Sequence, residues 1–313
     1  MLAIMIYCFQ FKSKRYRMNN KAFFKYIFAL LLFGSNGIVA SFIDLSSQNI
    51  VLLRTLIGSF LLIALFFISG GKLTFYKDKR QSIFLAISGI AMGTSWMFLY
   101  EAYARIGVSI ASLLYYCGPV IVMALSPLLF KERLTANKIL GFLAVVVGVV
   151  LINGNAFDGK GDLFGIACGL LSAVMYAFMV IRNKKVKDII GLENSTLQLT
   201  IAFGTVAVFV GLKQGYAMQI TPASILPILI LGLLNTGIGC YFYFSSIGKL
   251  KVQTVAICGY LEPLSAVLFS VVFLRETMLP LQIIGAILII GGAMCGELLV
   301  KQKNNGPSNS APQ

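Results

Sequence analysis

Residues 118–152, GPVIVMALSPLLFKERLTANKILGFLAVVVGVVLI, recur in altered form as residues 262–296, EPLSAVLFSVVFLRETMLPLQIIGAILIIGGAMCG. Both copies run from a proline in an apolar stretch, through a basic-acidic pair, into an apolar stretch with two of its glycines seven residues apart. Adding 144 to a number in the first copy gives its counterpart in the second, as for Pro119 and Pro263. Duplicated halves in an apolar chain are typical of transporters whose substrate site lies between the repeats.

The composition predicts a membrane protein. The mean hydropathy is +0.87, and 58% of the residues are hydrophobic while only 12% are charged, whereas a soluble domain averages about 25% charged residues. No cleavable signal peptide is evident, because the first apolar stretch is too long for one and leads directly into further stretches. Whether translation starts at Met1 or Met18 stays open.

Ten apolar stretches predict the fold class. Most approach the ~20 residues that a helix needs to cross a ~30 Å hydrocarbon core, and their continuous apolarity favours helices over strands. We therefore predict an all-α membrane protein with ten transmembrane helices in two inverted five-helix repeats. The stretches are 23–43, 49–68, 82–101, 107–129, 137–153, 163–181, 195–213, 222–245, 252–273 and 279–299.

The basic residues predict the orientation of these helices. The net charge is +15, but most of the 26 Lys and Arg residues lie in segments that are cytoplasmic if the N-terminus is inside. The outer segments hold only Arg105, Lys160, Lys213 and Arg275. This asymmetry follows the positive-inside rule, so we expect a multi-pass cell-membrane protein with both termini cytoplasmic and no nucleic-acid partner. Because each half has an odd number of helices, the second half enters the membrane upside down.

The repeat also sets the expected domain boundaries. These are an N-terminal cytoplasmic segment (1–22), the first repeat (23–153), a linker (154–162), the second repeat (163–299) and a disordered cytoplasmic tail (300–313).

Motifs in both halves carry a resemblance to a known family. They are Phe33-Gly34-Ser35-Asn36, Arg54, the run from Tyr100 to Arg105, Pro119, Lys131-Glu132-Arg133 and Gly141, then Tyr176-Ala177, Glu262-Pro263, Arg275-Glu276 and Gly285. With these residues the chain resembles the drug/metabolite transporter superfamily, in its ten-helix EamA-type branch, over about residues 23–299. The resemblance implies carriage of small metabolites, often export of amino acids or related compounds.

The chain departs from the family pattern at several positions. Phe33 and Tyr176 stand where the family often has Trp, and Gly118 occupies the repeat position of Glu262. Gln198 occupies the repeat position of Arg54. We therefore expect the two halves to do unequal polar work.

Glu262 is the leading candidate for substrate contact. Its stretch begins near Val252, so at 1.5 Å per residue the carboxylate lies about 15 Å deep, close to the midplane. A charge there is costly unless it faces a polar cavity or is protonated. Pro263 frees the carbonyl of Gly259, and Tyr260 lies close by. We expect Glu262 to bind a cationic or amino group or to titrate during transport; the alternative is hydrogen bonding that holds a broken helix together.

Aromatic residues and a second proline are further cavity candidates. Pro119 mirrors Pro263, and its neighbours Tyr115 and Tyr116 either line the cavity or simply pack. Trp96 and Tyr100 lie one turn apart and face either a cavity or the interfacial aromatic belt.

Polar residues within other spans complete the candidates. Asn36 and Asn235 supply hydrogen bonds either to a ligand or across helices. Arg54 snorkels to the outer interface, forms a structural pair or binds a substrate carboxylate; the first two alternatives are slightly favoured. Glu101 and Arg105 are spaced for an i,i+4 ion pair. Glycines spaced for close helix packing leave any homo-oligomer open.

Several chemistries have no support in the sequence. The chain has no His, which excludes His-based metal sites, triads and proton relays, so any proton coupling must use carboxylates or tyrosines. The six cysteines lack C-x-x-C spacing, and the GxxxxGK match at 154–160 lacks the Ser or Thr of a nucleotide site. We expect no catalytic residue, no metal and no cofactor.

The function expected from these features is secondary transport. A small metabolite (an amino acid or a related compound) would move across the membrane, most simply outward, by alternating access within the lipid bilayer, with protons as a candidate coupling ion. A flippase for a lipid-linked or amphipathic substrate and a non-transporting membrane scaffold are the alternatives.

Overall fold

The structure is a computed structural model that describes residues 20–118, 121–122, 125, 136–152, 162–183, 185–247, 258–259 and 261–298. Over these ranges the chain is helical and contains no strand. Pro119 and Tyr260, the Lys131–Glu132 pair, nearly all of the predicted linker and both chain ends lie outside the described residues, and of Pro263 only the backbone is described.

Six helices are described in the first half. They are α1 (Asn20–Gly34), α2 (Asn36–Ser41), α3 (Ser47–Ile68), α4 (Lys79–Ile106), α5 (Val108–Tyr115) and α6 (Ala136–Ile152), with a 3-10 turn at Phe75–Lys77. The second half contains α7 (Leu163–Asn183), α8 (Gly191–Lys213), α9 (Pro222–Leu229), a π-helical segment (Ile230–Ile238), α10 (Gly239–Ile247), α11 (Leu261–Phe273) and α12 (Pro280–Leu298).

Among the described residues, six helical segments are long and apolar enough to cross a bilayer, so the chain is a multi-pass membrane protein. They are Asn20–Ser41, Ser47–Ile68, Lys79–Ile106, Leu163–Asn183, Gly191–Lys213 and Pro222–Tyr243. Shorter apolar helices cover Ile139–Gly148, Leu264–Phe273 and Pro280–Gly292.

Local signals shift some predicted boundaries. Helix α4 extends beyond the predicted 82–101 because the Asp78 side chain caps its N-terminus, accepting from the amides of Arg80 and Gln81. Gly107, with φ +79°, ends it. The first predicted helix begins earlier than residue 23 and is interrupted at Ser35, between α1 and α2.

The predicted helix 222–245 contains a change of helix type. Nine residues, Ile230–Ile238, form a π-helix, and the Thr236 hydroxyl donates to the Leu231 carbonyl five residues back, at 2.7 Å. Here the segment packs tightly on α3, since a Cβ on Gly232 would lie 2.7 Å from Ile57 and one on Gly237 2.5 Å from Leu61. Bulges of this kind occur frequently at functional sites.

Gly93 and Gly169, each the second glycine of a GxxxG pair, bring helices together. A Cβ on Gly93 in α4 would lie 2.7 Å from the Ala202 carbonyl in α8, and one on Gly169 in α7 2.7 Å from Leu114 in α5. Small residues allow this close approach where lipid supplies no hydrophobic drive for helix association. The packing role predicted for these glycines is confirmed.

Helices α6 and α12 cross through the glycines of the duplicated motif. A Cβ on Gly148 would lie 2.6 Å from the Gly285 carbonyl, and one on Gly292 2.9 Å from the Gly141 carbonyl. Because the lower-numbered glycine of one helix meets the higher-numbered glycine of the other, the two helices run antiparallel. Their backbones are in direct contact at both points.

The acidic residue of the second motif caps a helix of the first half. The Glu276 carboxylate accepts from the amide of Val108 at 2.9 Å and from the amide of Ser109 at 3.0 Å. These are the first two amides of α5, which have no partner within the helix. Glu276 therefore joins the α11–α12 connection to the start of α5.

The crossing of α6 and α12 generates a stability prediction. Gly148→Ala places a methyl group against the Gly285 carbonyl, which is backbone and has little room to move, so we expect a loss of about 1–3 kcal/mol of unfolding free energy. Thermal unfolding of the purified protein in detergent measures the effect.

Gly291→Ala is the matched control, because its Cβ would meet nothing within 4 Å on the same α12 helix. This variant should unfold at or slightly above the wild-type temperature, since Ala is the better helix former. Equal melting temperatures for the two variants would contradict the close backbone contact.

Candidate functional site

Arg54 lies inside the helix bundle. Its side chain is 1% exposed, and its Nε donates to the Thr236 hydroxyl at 2.9 Å. Its Nη1 donates to the Tyr100 hydroxyl. The guanidinium also lies over the ring of Trp96, 4.5 Å from the ring centroid, and near the ring of Tyr100 at 5.0 Å. The expected snorkelling of Arg54 to the interface is therefore wrong: the guanidinium is enclosed by α4 and the π-helical segment.

One donor of this guanidinium is unused. Arg54 Nη2 is buried without a hydrogen-bond partner among the described residues, and the ion pairs in these ranges all belong to Arg105. A buried cation without a paired anion is costly in a membrane protein and marks a functional site by default. An anionic group beside Nη2 would satisfy this donor and compensate the buried charge.

Asn36 and Asn235 bond across helices. The Asn235 amide lies 2.8 Å from the Leu32 carbonyl, 2.9 Å from the Ser35 hydroxyl and 3.1 Å from Asn36 Oδ1. Three acceptors thus share two N–H groups. Of the two alternatives predicted for these residues, the structure contains the helix-to-helix bond, which joins the break after α1 to the π-helical segment.

Glu262 lies in a cluster of tyrosines. It occupies the first turn of α11 and is partly exposed. Its carboxylate interacts electrostatically with tyrosines from α1, α4, α5 and α10. These tyrosines are Tyr26, Tyr103, Tyr115, Tyr116 and Tyr243.

The aromatic rings around Glu262 contact one another. Tyr115 meets Tyr176 edge to face with centroids 5.1 Å apart and meets Tyr116 at 5.5 Å. On another side, Tyr243 lies 5.5 Å from Tyr26 and 5.8 Å from Phe33. We call these six rings, Tyr26, Phe33, Tyr115, Tyr116, Tyr176 and Tyr243, the aromatic cluster.

Small residues position the aromatic cluster around Glu262. A Cβ on Gly34 would lie 2.9 Å from the Glu262 carbonyl, so α1 touches the backbone of α11 at this point. A Cβ on Gly118 would lie 2.6 Å from the Tyr176 ring. Helix α7 therefore approaches the chain closely just after α5. Gly118 therefore leaves room for a ring at the repeat position of Glu262.

The two sites are close enough to sense each other. The charge of Arg54 acts on the Glu262 carboxylate, and Tyr103 interacts with both charges while its ring lies 5.2 Å from that of Tyr100. The buried Tyr116 hydroxyl lies close to the Glu262 carboxylate, although the two groups do not have the geometry of an ordinary hydrogen bond.

The repeat counterpart of Arg54 is chemically different. Gln198 in α8 is 1% exposed, and its side chain accepts from Asn183 and donates to the Met92 sulfur. The unequal polar work expected of the two halves stays a prediction; at this pair of positions the second half carries a neutral, hydrogen-bonded amide where the first carries a cation.

The end of α4 carries a surface ion-pair network. Arg105 Nε donates to Glu101 at 2.8 Å, as predicted, and Arg105 Nη1 donates to Asp162 at 3.1 Å. The amide of Gly165 and then Arg105 hold the pKa of the Asp162 carboxyl below its usual value. These groups lie at the surface and stand apart from Arg54 and Glu262.

Several residues of the site were not singled out from the sequence. They are Tyr26, Tyr103 and Tyr243 around Glu262, and Thr236 beside Arg54. Each is a hydroxyl within an apolar stretch, and that signal was available, but nothing in the spacing along one helix says which helices meet.

Comparison with known proteins identifies the family of this chain. The profile of the EamA-like transporter family matches residues 20–154 and again residues 163–295. The chain belongs to the EamA-like transporter family. It is thereby a member of the drug/metabolite transporter superfamily, as the sequence motifs indicated.

Relatives of this EamA-like chain are also transporters. It is 30% identical over 275 residues to the uncharacterized transporter YdfC of Bacillus subtilis, covering 86% of this chain and 87% of the relative. It is 25% identical over 264 residues to the threonine/homoserine exporter RhtA of Escherichia coli K12, covering 82% and 84%. A crystal structure shares the fold with a TM-score of 0.64 at 20% identity, covering 89% of this chain and 98% of that one.

The stacking of Arg54 on Trp96 gives a spectroscopic prediction. Trp96 is the single Trp of the chain, so the tryptophan band in the near-ultraviolet circular dichroism reports on the surroundings of this one ring. Arg54→Gln removes the guanidinium that holds the ring and should weaken the tryptophan band. Arg105→Gln removes a guanidinium that stacks on Phe164 and should leave the band unchanged; a band unaffected by Arg54→Gln would contradict the stacking.

Proposed function

We propose that the chain is a secondary transporter that binds a small amino compound, in the first place an amino acid, between Arg54 and Glu262. The observation that carries this proposal is the pair of opposite charges in the apolar bundle, where Arg54 Nη2 has no described partner and Glu262 is partly exposed. A zwitterion has a carboxylate for the guanidinium and an ammonium for the carboxylate, so one ligand satisfies both.

The aromatic cluster suits the amino end of such a ligand. Electron-rich ring faces attract a cation by about 0.5–2 kcal/mol each when water is excluded. Tyrosine hydroxyls also offer hydrogen bonds to polar parts of a substrate. Glu262 therefore contributes charge, and the rings contribute shape and a low dielectric in which that charge acts strongly.

We further propose ten membrane spans in two inverted five-helix repeats. The crossing of α6 and α12 supports this, because replacing each residue of one contact, Gly141 with Gly292, by its repeat counterpart gives the other contact, Gly285 with Gly148. A two-fold axis in the membrane plane would exchange the two antiparallel helices and turn each of these contacts into the other.

The loop contacts support the same symmetry. Asn49 at the start of α3 accepts from Gln214 at 2.7 Å, and its repeat counterpart Glu193 at the start of α8 accepts from the Thr74 hydroxyl at 2.7 Å. Each ties a helix start to the loop that follows the equivalent helix of the other repeat. With the basic residues inside, one brace lies on each side of the cell membrane, and both termini are cytoplasmic.

Such symmetry gives the mechanism we propose, alternating access around a fixed site. The break at Ser35 and the π-helical segment, which Asn235 joins, are the irregular backbone nearest to Arg54. We assign to them the bending that opens the site to one side and then the other. Proton coupling would use Glu262, which cannot hold an ammonium group and a proton at once; no His is present to serve instead.

Export is the proposed direction, and it is supported by the relative that is a threonine/homoserine exporter. The first experiment is counterflow in proteoliposomes that contain the purified chain, with labelled amino acids, nucleosides and amines, with and without a proton gradient. Flux of an amino acid supports the proposal, and dependence on the gradient supports coupling. Folded protein that moves none of the panel would overturn it and favour a flippase or a scaffold.

Substitution of Glu262 tests the site itself. Glu262→Gln keeps the shape but removes the charge, and we expect flux to fall by about tenfold or more, the scale of a lost hydrogen bond to a charged group. Arg105→Gln, at a surface ion pair of small energetic weight, should reduce flux less than about twofold. Equal flux in the two variants, at equal amounts of reconstituted protein, would exclude the role assigned to Glu262.

A further inference from the structure

Three cations surround one phenylalanine ring at an end of the helix bundle. Arg182 at the end of α7, Arg80 at the start of α4 and Lys185 in the next connection lie 5.9 Å, 5.7 Å and 5.6 Å from the centroid of Phe84. We call these four residues the Phe84 cluster. Since each charge is within 6 Å of the same centroid, no two of them are more than about 12 Å apart, which is close to the Debye length in physiological salt.

The acids near the Phe84 cluster are engaged elsewhere. Asp78 accepts from the amides of Arg80 and Gln81 and from the Gln81 side chain, so it caps α4. Asp188 accepts from the Gln81 side chain. Within the described ranges no carboxylate makes an ion pair with any of the three cations, although the Asp78 carboxylate is close enough to sense the charge of Arg80. The cluster therefore keeps an excess of positive charge.

Arg182 lies beside an exposed ring of its own helix. Its guanidinium lies 4.9 Å from the ring centroid of Phe178, which is 39% exposed on the outside of α7. Its Nε is buried and has no hydrogen-bond partner among the described residues. None of the guanidinium donors of Arg182 makes an ion pair within the described ranges, and a guanidinium beside an exposed ring is suited to a phosphate oxygen.

We propose that the Phe84 cluster binds a phosphate anion, supplied by the headgroup of an anionic phospholipid in the adjoining leaflet. Phosphate oxygens would accept from Arg182 and Arg80 while Lys185 adds a further charge. Such a lipid would join the start of α4, the end of α7 and the connection between α7 and α8, which meet at this end of the bundle through Leu85, Val186 and Ile189.

The test is native mass spectrometry of the purified full chain in detergent, titrated with phosphatidylglycerol, with phosphatidylcholine and with inorganic phosphate. Phosphatidylglycerol should bind at least about fivefold more tightly than phosphatidylcholine, which is roughly the effect of one basic residue at an anionic surface. Displacement of the lipid by inorganic phosphate would identify free phosphate as a sufficient ligand, and its failure to displace would identify the lipid. No preference for phosphatidylglycerol would overturn the proposal.

Variants assign the binding to this cluster. Arg182→Gln should lower the affinity for phosphatidylglycerol about fivefold, whereas Lys72→Gln, which removes an exposed charge outside the cluster in the connection before α4, should leave it unchanged. If Arg182→Gln does not fold, Lys185→Gln replaces it, since that side chain is exposed. Wild-type affinity in a folded cluster variant would show that phosphatidylglycerol binds elsewhere and exclude this site.

Discussion

Hydrocarbon offers no hydrogen bonds, and most of this structure follows from that constraint. The backbone satisfies its hydrogen bonds by forming helices. Where a regular helix is interrupted, side chains provide the missing hydrogen-bond partners. At the break after α1 and in the π-helical segment, the Asn235 amide bonds to Leu32, Ser35 and Asn36. The Thr236 hydroxyl bonds to a carbonyl of its own π-turn and accepts from Arg54. The irregular backbone and the buried cation are thus parts of one connected set of hydrogen bonds.

Glycine determines which helices touch. Since lipid chains are as apolar as leucine, helices associate through close packing rather than through burial from water. At the crossing of α6 and α12 the carbonyls of Gly141 and Gly285 take the place of side chains as the contact surface. Gly34 brings α1 against the backbone of α11 at Glu262, which is why a carboxylate and rings from several helices surround one small volume.

Approximate symmetry and chemical asymmetry serve different purposes in this chain. The braces at Asn49 and Glu193 and the glycine crossing are related by the repeat and serve the scaffold. The polar positions are not matched: Gln198 is the repeat counterpart of Arg54, and Gly118 is the repeat counterpart of Glu262. Under the proposed function, one cation and one carboxylate in a symmetric frame would give a substrate a single preferred orientation.

The sequence by itself determined the membrane environment, the duplication and the family, because hydropathy, spacing and motifs are properties of single segments. It also predicted the ion pair of Glu101 with Arg105, since that pair lies within one helix. Only the tertiary structure decided that Arg54 turns inward onto Trp96, Tyr100 and Thr236, and that Glu262 lies among tyrosines of α1, α4, α5 and α10. Those outcomes depend on which helices meet and on how far a π-helical segment rotates its side chains. Contacts between segments that are distant in the sequence produce no periodic pattern of residues, so the sequence alone did not predict them.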